Sequence, residues 1–339
     1  MDRRQLGSSD LWVTPVGVGS WAMGGGQWKY GLGPQDDTQS EAAIRRALDL
    51  GVNWIDTAAL YGYGHSEEVV GRTLRAISPR PFIFTKCSRV WDDRGRIASS
   101  LKSESIRREA EASLKRLRVD YIDLYQMHWP WPENDLEEGW ATMADLKREG
   151  KVRWIGVSNF SVEQMARVQA IAPITAIQSP YSLLVREVET TILPYAAANN
   201  IGVMVYSPLR CGLLSGKMTR GRAASLPLND CRRDFPDFSE PALSRNLELV
   251  EVLRQIAARL GRSAGEAAIA WTLRQAAVTG AIVGVRKPEQ VDDDMNAATF
   301  RWSEEDLQEI EYFLTNRSLA TCAVAAGGGT GAQHRPPCE

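Results

Sequence analysis

Short apolar runs alternating with segments of helical periodicity constrain this chain more than any other feature. The runs fall at residues 16–19, 52–56, 82–86, 121–127, 152–157, 174–178, 202–206 and 280–283. Runs of this length, rich in Val and Ile, fit strands buried on both faces. The segments between them are amphipathic. One places Ile106, Ala110, Leu114 and Leu117 on a single face, with Arg107, Arg108, Glu111 and Lys115 elsewhere. Ser161 with Gln164, and Ser263 with Glu266, have the spacing of capping boxes that start helices. Strands alternating with helices predict a parallel sheet. Eight such units over about 310 residues predict an α/β fold closed as a (β/α)8 TIM barrel, with a doubly wound sheet as the alternative.

Two segments break the alternation. Residues 3–14 read as an N-terminal β-hairpin turning at Gly-Ser-Ser-Asp, placed to plug the barrel floor. Residues 209–243, rich in Gly, Pro, Asp and Arg, form a long loop after the seventh strand, and aperiodic loops of that length inside a compact domain are usually functional. Residues 1–317 are read as one domain. Residues 318–339, with Gly-Gly-Gly-Thr-Gly and Pro-Pro, are read as a flexible C-terminal tail.

The stretch Val13 to Ala22, "VTPVGVGSWA", contains G-x-G-x-x-A after a β-branched run, and Asp37 follows at the distance a dinucleotide-binding fingerprint requires. That fingerprint works only when its last small residue opens a helix whose N-terminus holds a pyrophosphate. Here Gly24, Gly25, Gly26, Gly31, Gly33 and Pro34 follow, and no helix forms through such a run. The Rossmann reading is therefore rejected, and the segment is read as a strand entering a glycine and aromatic loop.

The 339 residues carry a formal charge of −2, which gives no footprint for nucleic acid. No apolar run reaches the length of a membrane span, and the first residues lack a signal-peptide core. Five cysteines at spacings that match no zinc pattern point to a reduced, cytoplasmic protein without a metal centre.

In a barrel the chemistry sits where strands end. Asp56 ends the second run, with Tyr61 just beyond; Lys86 ends the third; His128 follows the fourth; Ser158 and Asn159 follow the fifth; Gln178 ends the sixth; Tyr206 and Ser207 end the seventh. Taken singly, Asp56 reads equally as a helix cap, His128 as a packed histidine and Tyr61 as a core residue. Lys86, after "FIFT", is the least ordinary, because lysine is rarely buried. Together they form a chemical set. A lysine cation beside a phenol lowers its pKa, a carboxylate holds the lysine, and an imidazole orients a carbonyl oxygen. That set suits proton donation to a carbonyl as hydride arrives.

The motifs "GVNWIDTAALYGYGHSEEVVGRTL", "LKRLRVDYIDLYQMHWP", "RWIGVSNFS" and "VYSPLRCGLLSGK" closely resemble those of the aldo-keto reductase family, in order, from Arg3 to about Phe313. The long loop and "GVRKPEQV" look most like its bacterial general-stress and potassium-channel β-subunit-like branch. The resemblance implies a barrel that binds an extended nicotinamide cofactor without a Rossmann domain. It implies that Asp56, Tyr61, Lys86 and His128 are the catalytic tetrad, with Tyr61 the general acid. It further implies that Ser158, Asn159 and Gln178 hold the carboxamide and that Tyr206 stacks on the nicotinamide. Ser207, Leu209, Gly212, Leu213, Ser215 and Lys217 would follow the pyrophosphate. Gly284, Arg286, Gln290, Asp293 and Asp294 would meet the adenosine and 2′-phosphate.

Trp21 matches a family position in the substrate pocket, and Tyr30, Trp91 and Trp129 are candidates to line it with aromatic walls. The expected substrate is a small aldehyde or ketone, aromatic or sugar-type. Val283 stands where the family often has proline, and Asp294 where an amide commonly meets the adenine. Asp293 and Asp294 would repel a 2′-phosphate, whereas Arg286 and Lys287 would attract it, so NADPH is expected ahead of NADH. An alcohol or sugar dehydrogenase, or a cofactor-binding regulatory subunit of slow turnover, are the competing functions. Oligomeric state is left open.

Overall fold

A computed structural model describes the backbone of residues 1–325 and the side chains of residues 1–316. Eight parallel strands close into a barrel in sequential order: β1 (Val16–Gly19), β2 (Trp54–Asp56), β3 (Phe82–Cys87), β4 (Ile122–Met127), β5 (Val152–Ser158), β6 (Ala176–Pro180), β7 (Gly202–Tyr206) and β8 (Val278–Gly284), with β8 pairing back to β1. Each expected run became a strand, with ends shifted by at most two residues. Helices pack outside. The helix carrying Ile106, Ala110 and Leu117 spans Ser103–Leu117 and buries all three, while Leu114 is partly buried. Both capping boxes form, so Ser161 and Ser263 satisfy the first free backbone N–H groups of their helices.

The floor of the barrel is closed as expected. The two-stranded hairpin Arg4–Gln5/Trp12–Val13 presses Leu6, Leu11 and Val13 against the inward side chains Trp54, Phe84, Leu124 and Met204. Arg4 locks it by donating from Nη1 to the Val278 carbonyl at 2.7 Å. Gly17 of the rejected fingerprint has a packing role here. A Cβ at that position would sit 2.1 Å from the Trp54 ring, which stacks on Phe84 inside the barrel.

The segment 209–243 is less open than its composition predicts. It contains the helix Arg220–Ala224, three 3-10 turns and a small core of its own built on Leu213, Met218, Leu226, Phe235 and Phe238. It joins the opening loop through the amide of Cys231, which donates to the Gly31 carbonyl at 2.9 Å, so the two loops pair across the barrel mouth. At the other end of the chain, the helix Glu304–Ala325 crosses the domain boundary expected at 318. The rest of the expected tail, 326–339, lies outside the described residues.

Candidate active site

The C-terminal ends of β2, β3 and β4 bring four polar side chains together in the mouth. Lys86 is fully buried and donates from Nζ to Asp56 Oδ1 at 2.6 Å and to the Thr57 carbonyl at 2.9 Å. The same Nζ lies 3.4 Å from the Tyr61 hydroxyl. Burial pulls the Lys86 ammonium below its ordinary range, and Asp56 opposes that pull. The Tyr61 and His128 rings meet edge to face, 5.9 Å between centroids. Burial first, and then the charges of Lys86 and Arg89, hold the His128 imidazole well below its ordinary pKa, so it is neutral at pH 7. The arrangement offers a phenol beside a cation, with a neutral imidazole facing the same point. Such a pair polarises and protonates a carbonyl oxygen.

The polar floor continues round the barrel. Gln178 donates from Nε2 to the second Asp56 oxygen at 2.8 Å. Asn159 takes a left-handed backbone (φ 62°) and donates from Nδ2 to the His128 carbonyl at 3.0 Å and to Ser158 Oγ at 3.1 Å. Its Oδ1 accepts from the Tyr206 hydroxyl at 2.8 Å. Ser207 (φ 55°) is left-handed as well, so β5 and β7 both end in a sharp upward turn. Ser158, Asn159, Gln178, Tyr206 and Ser207 therefore face one cavity together with Asp56, Tyr61 and His128.

That cavity runs as one groove from the aromatic loops to the start of the helix Pro288–Met295. Leu209, Gly212, Ser215 and Lys217 line its middle, and Gly284, Arg286, Gln290 and Asp294 its far end. Three expected positions fall elsewhere. Leu213 is buried beneath the groove in the loop core, where it supports rather than contacts. Asp293 points to the surface and pairs with Lys217 at 3.2 Å. Trp91 does not line the cavity; from the Arg89–Trp91 strand it packs on Tyr63, with centroids 5.7 Å apart, in the aromatic cluster behind Trp28 and Tyr30. Trp21, Tyr30 and Trp129 do line it.

Three groups were missed from sequence. Gln126, fully buried, stands 3.5 Å from the Asp56 carboxylate. It lies two residues before His128 and in register with Lys86, and a strand's two-residue period was the available signal. Trp28 leans over Tyr61, 6.0 Å between centroids, from a loop without periodicity. Arg89 lines the cavity from the Arg89–Trp91 strand just beyond Lys86.

The family model described as "Aldo/keto reductase family" matches residues 15–314. The chain belongs to the aldo/keto reductase family. It is 38% identical over 319 residues to aldo-keto reductase YhdN of Bacillus subtilis, covering 93% of this chain and 94% of that one. It is 33% identical over 320 residues to the NADH-specific methylglyoxal reductase of Escherichia coli K12, covering 90% and 96%. The solved structure of the glycerol dehydrogenase AKR11B4 from Gluconobacter oxydans superposes with a TM-score of 0.84 at 37% identity, covering 93% and 96%. As an aldo/keto reductase the chain is an NAD(P)H-dependent oxidoreductase of carbonyl compounds. Among the described residues, no helix is long and apolar enough to cross a membrane.

Proposed function

We propose that this aldo/keto reductase uses NADPH to reduce a small aldehyde or ketone, aromatic or sugar-type, to its alcohol, with Tyr61 as general acid. The cofactor supplies hydride when bound, and the chain supplies the proton and the positioning. Lys86, held by Asp56, makes the Tyr61 hydroxyl a better acid, and neutral His128 donates to the carbonyl oxygen. Trp21, Tyr30 and Trp129 give the carbonyl compound flat apolar walls. Ser158, Asn159 and Gln178 hold the carboxamide, and Tyr206 stacks on the nicotinamide ring. Because Gln178 Nε2 is engaged by Asp56, its amide oxygen is the atom left to accept from the carboxamide. A reduced, cytoplasmic setting fits Cys87, Cys211 and Cys231, all free thiols.

The observation that carries the preference for NADPH is the state of Arg286. Its guanidinium is fixed by Gln35 Oε1 at 2.7 Å and by the carbonyls of Leu32 and Pro34, and it makes no ion pair among the described residues. It is a preorganised cation that lacks an anion. The two acids that argued for NADH are both weakened. Asp293 is neutralised by Lys217, and burial, with Asp293 nearby, pushes the Asp294 carboxyl up to about 7. Asp294 is thus neutral below pH 7 and charged above it.

Tryptophan fluorescence titration with NADPH and NADH, at pH 6 and pH 8, tests the reading. NADPH is expected to bind tighter than NADH. Asp294→Asn is expected to strengthen NADPH binding relative to wild type by roughly fivefold at pH 8, about 1 kcal/mol, and little at pH 6. NADH binding as tight as NADPH would overturn the NADPH preference, and markedly tighter NADH binding would point to the NADH-specific behaviour named for its Escherichia coli relative.

A further inference from the structure

Arg89 occupies the substrate end of the groove, and beyond its influence on His128 it has no part in the carbonyl chemistry. It follows the left-handed Ser88 (φ 77°), whose Oγ is tied to the backbone of Trp129 at 3.2 Å. Its side chain lines the main cavity beside His128, Tyr30 and Trp129, and also lines an adjoining cavity with Lys29 and Trp131. Nη1 donates to Ser99 Oγ at 2.8 Å, which fixes the guanidinium in place. Nε is buried with no hydrogen-bond partner, and Arg89 makes no ion pair among the described residues. A half-buried guanidinium with one donor unpaired and no anionic partner is suited to receive an anion from a ligand.

The other cations of the groove are Arg232, paired with Asp230, Lys217, paired with Asp293, and Arg286 and Arg222 at the far end, where Arg222 donates to the Lys217 carbonyl at 3.1 Å; Lys86, beneath the groove, pairs with Asp56. Around Arg89, Asp92 is taken by Arg96 at 2.6 Å, and Lys29 lies over the Tyr30 ring with no ion pair among the described residues. The substrate end is therefore locally positive as well as aromatic.

Resting on the reductase reading of this site, we propose that the substrate is a carbonyl compound bearing a carboxylate, and that Arg89 receives that carboxylate while Tyr61 and His128 receive the carbonyl oxygen. A planar guanidinium already fixed by Ser99 presents a donor fork that matches a carboxylate. The aromatic walls beside it suit a flat ring or a short apolar spacer between the two groups. Arg89 also helps to keep His128 neutral, but that influence would act on neutral and anionic substrates alike.

The test compares 4-carboxybenzaldehyde with its neutral match, methyl 4-formylbenzoate, by NADPH oxidation, in wild type and Arg89→Gln. Wild type is expected to favour the carboxylate by about tenfold or more in kcat/KM, chiefly through KM, and Arg89→Gln is expected to collapse that ratio to near one. Equal kcat/KM for the two aldehydes in wild type, or a ratio unchanged by Arg89→Gln, overturns the proposal while leaving the reductase reading intact. If neither aldehyde is reduced, the reductase reading is what falls. The carboxylate subsite is then judged by fluorescence titration with 4-(hydroxymethyl)benzoate and its methyl ester in the presence of NADP+. Tighter binding of the acid that Arg89→Gln abolishes supports it, and equal binding overturns it.

Discussion

Asp56 has two oxygens, and each has a task. Oδ1 holds the Lys86 ammonium and Oδ2 accepts from Gln178, so one buried carboxylate links the cation beside Tyr61 to the wall proposed to hold the carboxamide. Substituting Lys86 would leave that carboxylate buried and unpaired, a change that costs several kcal/mol of stability on its own. Tyr61→Phe separates chemistry from folding more cleanly, because it removes one hydroxyl from a half-buried ring that stays packed on Trp28 and His128. Carbonyl reduction by Tyr61→Phe is expected to fall by about 10²- to 10⁴-fold in kcat, the usual share of a positioned general acid. NADPH affinity, read by fluorescence, is expected to stay within about twofold. Turnover close to wild type would remove Tyr61 from the proton-donor role.

The helix Ser103–Leu117 shows an element trading stability for a buried acid. Glu109 faces the barrel rather than solvent, accepting from Ser105 Oγ at 3.0 Å through Oε1, while Oε2 is buried without a hydrogen-bond partner. Burial pushes its carboxyl up to about 7 from an ordinary 4.5. Below pH 4.5 the group is protonated in both folded and unfolded chains, and the folded state bears no cost. As pH rises through 4.5 the unfolded chain releases its proton first, and stability is lost progressively until the folded carboxyl also ionises near pH 7. The loss approaches about 3 kcal/mol above that point. Glu109→Gln keeps the shape and the Ser105 contact without the charge. Its thermal midpoint is expected to exceed that of wild type by a few degrees at pH 8 and to match it near pH 4.5. A gain of the same size at both pH values would show that ionisation of Glu109 is not the cause.

At the scale of the whole molecule, stability and chemistry sit at opposite ends of one barrel. The hairpin seals the floor with Leu6 and Leu11, each fully buried against Trp54 and its neighbours, while Asp56, Tyr61 and His128 line the cavity at the mouth, with Lys86 buried just beneath them. Leu11→Ala is expected to cost about 2–5 kcal/mol and to lower the thermal midpoint by several degrees. The kcat of the folded fraction is expected to be unchanged, measured below the transition. A loss of kcat at full folding would mean that the floor and mouth are coupled.

The strand-helix alternation was legible because fully buried parallel strands must be apolar throughout, and the amphipathic segments must show their periodicity. The clustering of Asp56, Tyr61, Lys86 and His128 was legible because a barrel places strand ends at one mouth, so polar residues ending apolar runs stand out, with Lys86 foremost. The capping boxes were legible because they are local. What the sequence could not show depended on contacts between distant loops. Residues 209–243 carry apolar side chains without a period, and only pairing with the opening loop turned them into a small core. Trp91 and Trp129 read alike on paper, yet a hairpin turned one ring toward Tyr63 and left the other on the cavity wall. Arg89 was silent for the same reason. A charge beside a strand is ordinary, and its lack of an acidic partner among the described residues appears only when every neighbouring element is in place. The sequence by itself determined the barrel, its polar mouth and its chemistry. The tertiary structure decided which aromatic rings line the cavity and which of the described cations remain without an ion pair, because those depend on packing directions that no spacing encodes.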